Sequence, residues 1–349
     1  MKIVIVSGGT GGHIYPGIAI AQGLIAREPE SKVLFIGSEE GLEKGLIAKS
    51  GFPIKLIKSR ALLRKFSYKA VSAPFISMIG FFQALFYLAR ERPNVLISTG
   101  GYASLPVVLA AKGLAIPIFI HEQNVLPGVT NRLFARWAKK VFLSFDRSKE
   151  YLPQGIVTGN PVRSGIFASD REKSRLRLGC RPGDKLVLVV GGSQGARSIN
   201  QAVINSLPKI KEGIKIVHII GSRDFSLIKR GEYPFYKPVE YMYNIADAIA
   251  AADLAVSRAG ATAIAEFLIR ELPMILVPFP FSAEGHQELN ARVVADSGAG
   301  LLVNNSDLTP ERFADLVNGQ SLDLKKMKEA CRELARPTAV QEIINGIRS

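Results

Sequence analysis

Cysteine, histidine and tryptophan are scarce in this 349-residue sequence. It has two cysteines (Cys180 and Cys331), four histidines and one tryptophan. Two cysteines so far apart argue against a disulfide framework and indicate a reducing compartment. The sequence has no H-E-x-x-H motif, no closely spaced cysteine pair and no D-x-D motif. We therefore predict no dedicated metal centre. Ser193 is not part of a G-x-S-x-G motif, which disfavours a nucleophile-elbow hydrolase.

Acidic residues are also few relative to basic ones. The 30 Asp and Glu residues face 45 Lys and Arg residues, which gives a net charge of +15 and a pI of about 9.8. Such a charge predicts attraction to a polyanion, either nucleic acid or an anionic membrane. No aromatic-interleaved RNA motif occurs and the basic residues stand singly or in short groups, so nucleic acid is the weaker choice. A basic enzyme with no such partner stays the alternative.

Long apolar runs are nearly absent as well. The apolar stretch after Lys2 is too short for a secretory signal and runs directly into glycines. Residues 70–89 carry no charge and are long enough to cross a bilayer. However, this stretch contains Pro74 and Gln83, and a strand-like segment follows it at once. We therefore predict a helix of a βαβ unit rather than a membrane span.

Basic residues flank that apolar helix on both sides. They are Arg60, Arg64, Lys65 and Lys69 before it, and Arg90 and Arg92 after it. An apolar helix with cationic flanks is typical of a protein that lies on an anionic leaflet. A helix buried in the core is the competing interpretation.

The first seventeen residues combine a strand, a glycine loop and a helix start. A β-branched run ends at Val6, and glycines at 8, 9, 11 and 12 let the backbone approach a ligand closely. Such a junction favours anions. The dinucleotide fingerprint is incomplete because Ile14 stands where a third glycine is needed, and a P-loop lysine is missing because His13 follows Gly12. The pattern indicates a diphosphate-style loop that carries a histidine; a tight turn with an incidental His13 is equally open.

Strand and helix patterns alternate along the chain and restart at Leu186. There the sequence LVLVVGGSQGARSIN repeats the opening pattern about half a chain later. The predicted strands are 2–6, 33–36, 54–57, 95–98, 116–120, 141–143, 156–157, 185–190, 214–220, 254–257, 274–277 and 300–303. This rhythm predicts an α/β protein with two Rossmann-like, doubly wound parallel-sheet domains. We place them at residues 1–163 and 164–336, with a last helix at about 337–349 that crosses back to the first.

Ligands of such folds bind outside the carboxyl ends of the strands, here in the expected cleft between the domains. His13, His121 and His286 lie in loops at these ends and are candidates for acid–base chemistry. His218 lies inside a strand pattern, so we expect it in the core. The stretch SRAGATAIAEF (residues 257–267) begins a helix with small residues, where a phosphate can meet backbone N–H groups. Glu266 can accept hydrogen bonds from a ribose diol, or it is a solvated helix residue.

Seven motifs occur in order across nearly the whole chain. They are GGTGGHIYPG, GGYASLP, HEQNVLPGVTNR, GNPVR, GGSQGAR, SRAGATAIAEF and HQELNAR. Together they resemble the MurG family of bacterial N-acetylglucosaminyltransferases, which convert lipid I to lipid II. The resemblance implies a GT-B fold without metal or other cofactor and UDP-N-acetylglucosamine as donor. It also implies inverting transfer to the muramoyl C4 hydroxyl of an undecaprenyl-pyrophosphoryl acceptor, on the cytoplasmic face of the membrane as a peripheral protein.

The resemblance also assigns site residues, motif by motif. Those implied to bind substrate are Thr10, Gly11, Gly12, Asn124, Arg163, Ser193, Met242, Ala261, Thr262, Ala263, Ile264, Ala265, Glu266 and Gln287. Glu266 is expected on the ribose hydroxyls and Gln287 on the sugar, although His286 and Glu288 beside Gln287 depart from the family pattern. His13 is the candidate general base and Glu122 the reserve.

Three other functions are weighed against this one. A related lipid-directed enzyme, such as a diacylglycerol sugar transferase, would use the same fold with another acceptor. A nicotinamide-dependent oxidoreductase is disfavoured by the missing third glycine. A non-catalytic membrane scaffold is disfavoured by the number of unusual loops at the strand ends.

Overall fold

The structure is a computed structural model that describes residues 1–60, 68–192, 195–226, 231–319 and 321–349, and their side chains apart from those of residues 68–74. These residues divide into two compact units. The first consists of Met1–Arg163 together with Arg336–Ser349, and the second of Ser164–Ala335.

Strands and helices alternate along both units. The strands are β1 (Lys2–Val6), β2 (Lys32–Ser38), β3 (Ile54–Ile57), β4 (Val95–Ser98), β5 (Ile118–Glu122), β6 (Lys140–Leu143), β7 (Ile156–Val157), β8 (Lys185–Val190), β9 (Ile214–Ile219), β10 (Tyr236–Val239), β11 (Leu254–Ser257), β12 (Met274–Leu276) and β13 (Gly300–Leu302). The α-helices are α1 (Gly11–Arg27), α2 (Glu43–Lys49), α3 (Tyr68–Glu91), α4 (Ser104–Gly113), α5 (Val129–Phe134), α6 (Ser164–Ala168), α7 (Arg171–Leu178), α8 (Arg197–Ser206), α9 (Ser222–Phe225), α10 (Ile245–Ala251), α11 (Ala261–Ile269), α12 (His286–Asp296), α13 (Pro310–Val317), α14 (Leu324–Leu334) and α15 (Ala339–Arg348). Short 3₁₀ helices lie at Ala135–Trp137, Asp146–Glu150, Leu207–Lys209 and Ala283–Gly285.

The first unit is built on a parallel sheet that, in the described residues, has the strand order β3-β2-β1-β4-β5-β6-β7. Strand β1 is buried on both faces. Val4 and Val6 join one hydrophobic cluster and Ile3 and Ile5 join another. Helices on both sides of the sheet therefore require an unbroken apolar strand rather than an alternating one.

The second unit repeats this plan. Its parallel strands have the order β10-β9-β8-β11-β12-β13 over the ranges that the structure describes. The central strand β8 carries the apolar run KLVLVV, which is buried from Leu186 onward. Two doubly wound parallel sheets confirm the predicted α/β class.

Each sheet has a point where its strand order reverses. It lies between β1 and β4 in the first unit and between β8 and β11 in the second. Loops at the carboxyl ends of the two strands diverge at such a point and leave room for a ligand. The GGTGG and GGYAS loops meet at the first, and the described residues Gly191 and Gly192 and the SRAG loop lie at the second.

Helix α15 packs on α1 of the first unit. Gly23 makes the contact possible, because a Cβ atom there would lie 2.2 Å from Val340 Cγ1. Ile343, Ile344 and Ile347 enter the same hydrophobic cluster as β1. The last helix thus supplies part of the core of the first unit.

The predicted strands agree with the observed ones to within two residues at each end, with one omission. Strand β10 (Tyr236–Val239) was not predicted. It is a four-residue edge strand, contains Pro238 and is largely half-buried. Proline is tolerated on an edge strand because one side of the strand makes no ladder hydrogen bonds. The usual apolar signal of a parallel strand is therefore absent from this segment.

His218 lies in the core of the second unit, as predicted. It is fully buried, and Asn200 Oδ1 and Tyr236 Oη lie 3.0 Å from its two ring nitrogens. The Asn200 amide nitrogen donates to Ile220 O and Asp224, so its oxygen must accept from His218 Nε2–H. Nδ1 then accepts from the tyrosine hydroxyl, which is the pattern of a neutral ring. Burial lowers the pKa of His218 to about 3.

We expect the unfolding free energy of the second unit to decrease as the pH falls below about 6.5, the ordinary pKa of an unfolded histidine. His218 is neutral in both states above this pH, whereas below it only the unfolded state takes up the proton, down to the folded pKa of about 3. The loss between pH 7.5 and 5.0 should be about 2 kcal/mol. Urea unfolding followed by circular dichroism measures it.

A His218→Gln variant should show a weaker pH dependence over this range, because the titrating group is gone. His286→Gln, at a partly exposed position of the same unit, should keep the pH dependence of the wild type. Equal wild-type stability at pH 7.5 and pH 5.0 would contradict a neutral buried histidine.

Candidate active site

The glycine loop after β1 uses its first N–H groups within the protein. Gly8 N–H donates to Gly100 O (3.2 Å), Gly9 N–H to Glu43 Oε1 (2.8 Å) and Thr10 N–H to Gly8 O (3.3 Å). Helix α1 begins directly afterwards, at Gly11. The loop therefore offers fewer N–H groups to an anion than its glycine pattern predicts. An anion would have to bind at the first turn of α1.

The loop after β4 packs directly against this glycine loop. Gly100 and Gly101 both have positive φ angles, +89° and +86°. A Cβ atom on Gly101 would lie 2.1 Å from Gly8 O, and one on Gly100 would lie 3.1 Å from His13 Nδ1. Only glycine satisfies both the backbone conformation and the close approach at these positions.

His13 is oriented by the same pair of loops. Its Nδ1 lies 2.9 Å from Thr99 O, and the Gln123 side-chain amide also contacts Nδ1. A carbonyl oxygen can only accept, so Nδ1 carries the hydrogen. The Gln123 amide is placed with its nitrogen against Nδ1 and its oxygen unpartnered among the described residues, so a turned amide, with the oxygen facing the ring, satisfies both groups. In the neutral ring, Nε2 then holds the lone pair. His13 is half-buried, which suits a general base.

Glu122 is held differently. Its carboxylate is almost fully buried and accepts hydrogen bonds from Asn124 N–H (2.8 Å), Gly128 N–H (2.9 Å) and Asn131 Nδ2 (2.8 Å). Burial raises the pKa of Glu122, and the three donors act against that rise. Every one of these donors belongs to the loop that follows β5 or to the start of α5. The geometry favours a positioning role for Glu122 over that of a base.

His121, the neighbouring loop histidine, is inaccessible. It is fully buried, and burial lowers its pKa to about 3. Its Nε2 lies 3.3 Å from Ser144 Oγ, directly after β6. A ring held in this way helps to join β5 and β6 and is shielded from any substrate.

The other predicted residues of the first unit lie near these loops. Asn124 is half-buried, and its backbone is fixed by Glu122 and by Ser148, whose hydroxyl donates to Asn124 O (3.1 Å). Arg163 stacks over the ring of Tyr15, with its guanidinium carbon 3.9 Å from the ring centroid. That contact fixes the cation against the first helix.

In the second unit, Arg258 joins the loops at the carboxyl edge of the sheet. Its Nη1 donates to Val277 O (3.0 Å), Pro278 O (3.1 Å) and Asn305 Oδ1 (2.8 Å), and its Nη2 to Ser198 Oγ (2.9 Å). Burial lowers its pKa to about 10, so it stays protonated at neutral pH. None of these partners is a carboxylate. A positive charge without an acidic partner in the described residues therefore precedes helix α11.

Helix α11 begins with an open N-terminus. Gly260 is the N-cap residue without a side-chain cap, and a Cβ atom placed on it would meet nothing within 4 Å. Thr262 and Glu266 are both buried, with exposed fractions of 8% and 5%. The interpretation of Glu266 as a solvated helix residue is therefore wrong. Ala263 and Ala265, between these two, are half-buried.

Gln287 and Asn290 hold the loops near α11. Gln287 Oε1 accepts from Phe279 N–H (2.8 Å) and so closes the loop between β12 and α12. Its amide nitrogen is the group that can donate to a substrate. Asn290 is fully buried, and its Nδ2 donates to Ala259 O (3.1 Å) just before α11.

Two further predicted residues belong to this unit. Met242 is half-buried between two exposed tyrosines, Tyr241 and Tyr243, whose ring centroids are 4.8 Å apart. Ser193 lies outside the described residues. In the ranges that the structure describes, no group of three or more His, Cys, Asp and Glu side chains is arranged to hold a metal ion.

Comparison with known proteins now decides the family. The glycosyltransferase family 28 N-terminal domain matches residues 3–143, and the family 28 C-terminal domain matches residues 186–343. Two relatives named UDP-N-acetylglucosamine--N-acetylmuramyl-(pentapeptide) pyrophosphoryl-undecaprenol N-acetylglucosamine transferase are 37% (Desulfitobacterium hafniense) and 39% (Moorella thermoacetica) identical. Each alignment covers 99% of this chain and 98% of the relative. The chain belongs to the MurG family.

A solved MurG structure agrees with this assignment. The crystal structure of Acinetobacter baumannii MurG is 27% identical, covers 99% of both chains and has a TM-score of 0.75. The resemblance of the seven motifs to the MurG family is thereby confirmed, as is the predicted GT-B architecture of two Rossmann-like domains. The chain is a glycosyltransferase.

Sequence reasoning missed several residues that organise the site of this MurG-family chain. Gln123 and Arg258 lie within the quoted motifs and Glu43 lies outside them, and all three were assigned no role. Gln123 and Arg258 stand at carboxyl ends of strands, which is a signal that could have found them. Glu43 begins the short helix α2 between β2 and β3. No local sequence pattern connects it with Gly9, which lies 34 residues earlier.

Replacing Glu122 by alanine should destabilise the first unit by about 3 kcal/mol, because several buried N–H donors lose their acceptor at once. Trp137, the single tryptophan, lies in this unit and reports its unfolding by fluorescence. Glu150→Ala, at an exposed position of the same unit, is the matched control and should change stability by less than about 0.5 kcal/mol. Equal stability of the two variants would show that Glu122 does not hold its loop.

Proposed function

We propose that this chain transfers N-acetylglucosamine from UDP-N-acetylglucosamine to the C4 hydroxyl of the muramoyl group of lipid I, with inversion, to give lipid II. The observation that carries the proposal is the identity of 37–39% with transferases of that name over 99% of the chain. The geometry of His13 and the environment of α11 support it independently.

His13 is the proposed general base. Its Nδ1 contacts Thr99 O, and Nε2 is the ring nitrogen proposed to take the proton of the acceptor hydroxyl. As that proton moves to Nε2, the hydroxyl oxygen forms a bond to the anomeric carbon of the sugar. The bond between this carbon and the diphosphate oxygen breaks, and UDP leaves with the electron pair. Attack opposite to the leaving group inverts the anomeric centre.

The second unit is proposed to hold the donor. The N-terminus of α11 presents backbone N–H groups to the diphosphate, since its cap residue Gly260 offers no competing side chain. The half-buried charge of Arg258 precedes this helix and favours the developing negative charge on UDP. Glu266 is proposed to bind the ribose hydroxyls, Gln287 the sugar through its amide nitrogen, and Met242 the uracil through its backbone. Arg163 assists at the diphosphate.

The first unit is proposed to receive the acceptor and to lie on the anionic membrane leaflet. Helix α3 supports this, because one stripe of it exposes five large apolar side chains: Phe75, Met78, Ile79, Phe82 and Phe86, each at least 45% exposed. The opposite face carries Ala84 and Leu88 into the core. One face of the helix thus belongs to the core, and the exposed face is the one proposed to meet the membrane. No helix in the described ranges is long and apolar enough to cross a membrane.

The cationic flanks of α3 are partly described. Arg90 in its last turn and Arg92 just after it are exposed, and Lys58 on the preceding segment is exposed as well. Arg60 is paired with Glu40. Arg64 and Lys65 lie outside the described residues, as does the side chain of Lys69. An exposed apolar stripe bordered by cations is the pattern that binds anionic leaflets.

We expect UDP release only when the wild-type protein receives both UDP-N-acetylglucosamine and a lipid I analogue. His13→Ala should lower kcat by about 10²–10⁴-fold, the typical contribution of a general base. The dissociation constant of UDP, measured by calorimetry, should stay within twofold of the wild type because the proposed nucleotide site is in the second unit.

UDP-glucose and a diacylglycerol acceptor serve as controls for donor and acceptor. Faster transfer to diacylglycerol than to the lipid I analogue would identify a different lipid-directed transferase. Near-normal turnover of His13→Ala would remove His13 from the role of base.

The membrane proposal predicts that a Phe82→Ser, Phe86→Ser double variant binds vesicles of 30% anionic lipid at least tenfold more weakly than the wild type. Two large apolar side chains then no longer enter the interface. Leu176→Ser removes an equally exposed apolar side chain from the second unit and should bind normally. Neutralising Arg90 and Arg92 should weaken binding more at low salt than at high salt. Co-sedimentation measures all three, and unchanged binding of the double variant would exclude α3 as the contact.

A further inference from the structure

Glu43 is a fully buried carboxylate outside the proposed substrate contacts. It is the first residue of α2 and has an exposed fraction of 0%. Its Oε1 accepts from Gly9 N–H (2.8 Å) and from Ser38 N–H (3.3 Å). In the described residues it makes no ion pair, and its Oε2 is buried without a hydrogen-bond partner. Burying a carboxylate in this way is costly, so its retention calls for a compensating role.

On one side, Glu43 fixes the most constrained residue of the glycine loop. Gly9 has a φ of +91°, and a Cβ atom on it would lie 2.8 Å from Tyr102 Cε1. The residue is therefore held between the Tyr102 ring and the Glu43 carboxylate. Glu43 lies beside the glycine loop through its hydrogen bond from Gly9 N–H. Burial, and after it the negative charge of Glu43, raises the pKa of the Tyr102 hydroxyl.

On the other side, the carboxylate fits a space that only glycine leaves. A Cβ atom on Gly41 would lie 1.6 Å from Glu43 Oε2, and one on Gly37 would lie 2.8 Å from Glu43 Cβ. The side chain is thus confined at Cβ and at Oε2 while Oε1 binds the loop. Because packing has already restricted the rotamers of the Glu43 side chain, binding Gly9 N–H costs little additional side-chain entropy.

We infer that Glu43 is a positioning residue for the glycine loop, and through that loop for His13. By binding Gly9 N–H, the carboxylate sets the backbone conformation from Gly8 to Thr10. That conformation fixes where α1 begins and so where the ring of His13 stands. The kinetic part of this inference rests on the proposed function of His13, whereas the structural part does not.

Removal of the Glu43 carboxylate should impair catalysis without impairing nucleotide binding. Without the carboxylate, Gly9 N–H loses its acceptor and the loop gains access to other conformations. The base is then less often in place, so kcat should fall about tenfold or more. UDP affinity should be nearly unchanged, because the proposed nucleotide contacts other than Arg163 belong to the second unit. A residue that only stabilised the protein would not lower kcat while leaving UDP affinity intact.

Three variants and one control test the inference. Glu43→Ala removes the acceptor, whereas Glu43→Gln keeps one oxygen that can accept from Gly9 N–H and should retain more activity. Gly41→Ala displaces the carboxylate without changing it and should resemble Glu43→Ala. Glu39→Ala, at an exposed position of the same segment, is the control and should behave as the wild type.

Hydrogen–deuterium exchange of the peptide spanning residues 8–15 gives a readout without activity. Exchange should be faster in Glu43→Ala and Gly41→Ala, intermediate in Glu43→Gln and unchanged in Glu39→Ala. Transfer kinetics and UDP calorimetry on the same proteins should show lower kcat with unchanged UDP affinity. Unchanged exchange and kcat in Glu43→Ala, or equal losses of kcat and UDP affinity in all three variants, would overturn the inference. If the wild type transferred no sugar, the proposed function would fail, and the exchange data would still decide whether Glu43 holds the loop.

Discussion

The first unit depends on one close backbone contact, between the loops that follow its two central strands. Gly101 lies so near the carbonyl oxygen of Gly8 that a side chain at this position would overlap that atom. The contact brings Thr99 to the start of α1, where its carbonyl oxygen selects the tautomer of His13. The sheet brings these loops together because parallel strands place their carboxyl ends on the same edge. A candidate catalytic group thus derives its orientation from backbone atoms.

The two units use the same topology but hold their central loops with opposite charges. In the first unit a buried anion, Glu43, binds the glycine loop. In the second unit a half-buried cation, Arg258, joins the loops around α11. An anion beside the first loop disfavours a phosphate there, and a cation before α11 favours one. The electrostatics therefore agree with the nucleotide in the second unit and with the uncharged C4 hydroxyl of the acceptor, rather than its diphosphate, beside the first glycine loop.

The elements that sequence could predict are those whose signal is local. Strands such as β1 and β8 are continuous apolar runs, and the repeated glycine loops indicate two related sheets. Strand β10 carries no such signal, because it lies at the edge of the sheet, contains Pro238 and has no continuous run of buried apolar residues. Glu266 was left open between a ligand contact and a solvated position, because pattern alone does not show which helix face is covered. Glu43 acts on Gly9 across 34 residues, a distance that only the folded sheet bridges.

The return of α15 to the first unit has a consequence for biosynthesis. Ser164–Ala335 form a continuous unit whose residues all follow one another in the chain. The core of the first unit, in contrast, includes Ile343 and Ile347, which leave the ribosome long after β1. The earlier-made part of the first unit therefore keeps an uncovered apolar surface on α1 until α15 has been synthesised. During this interval a nascent chain exposes a surface that chaperones bind, and the later-made half can fold first.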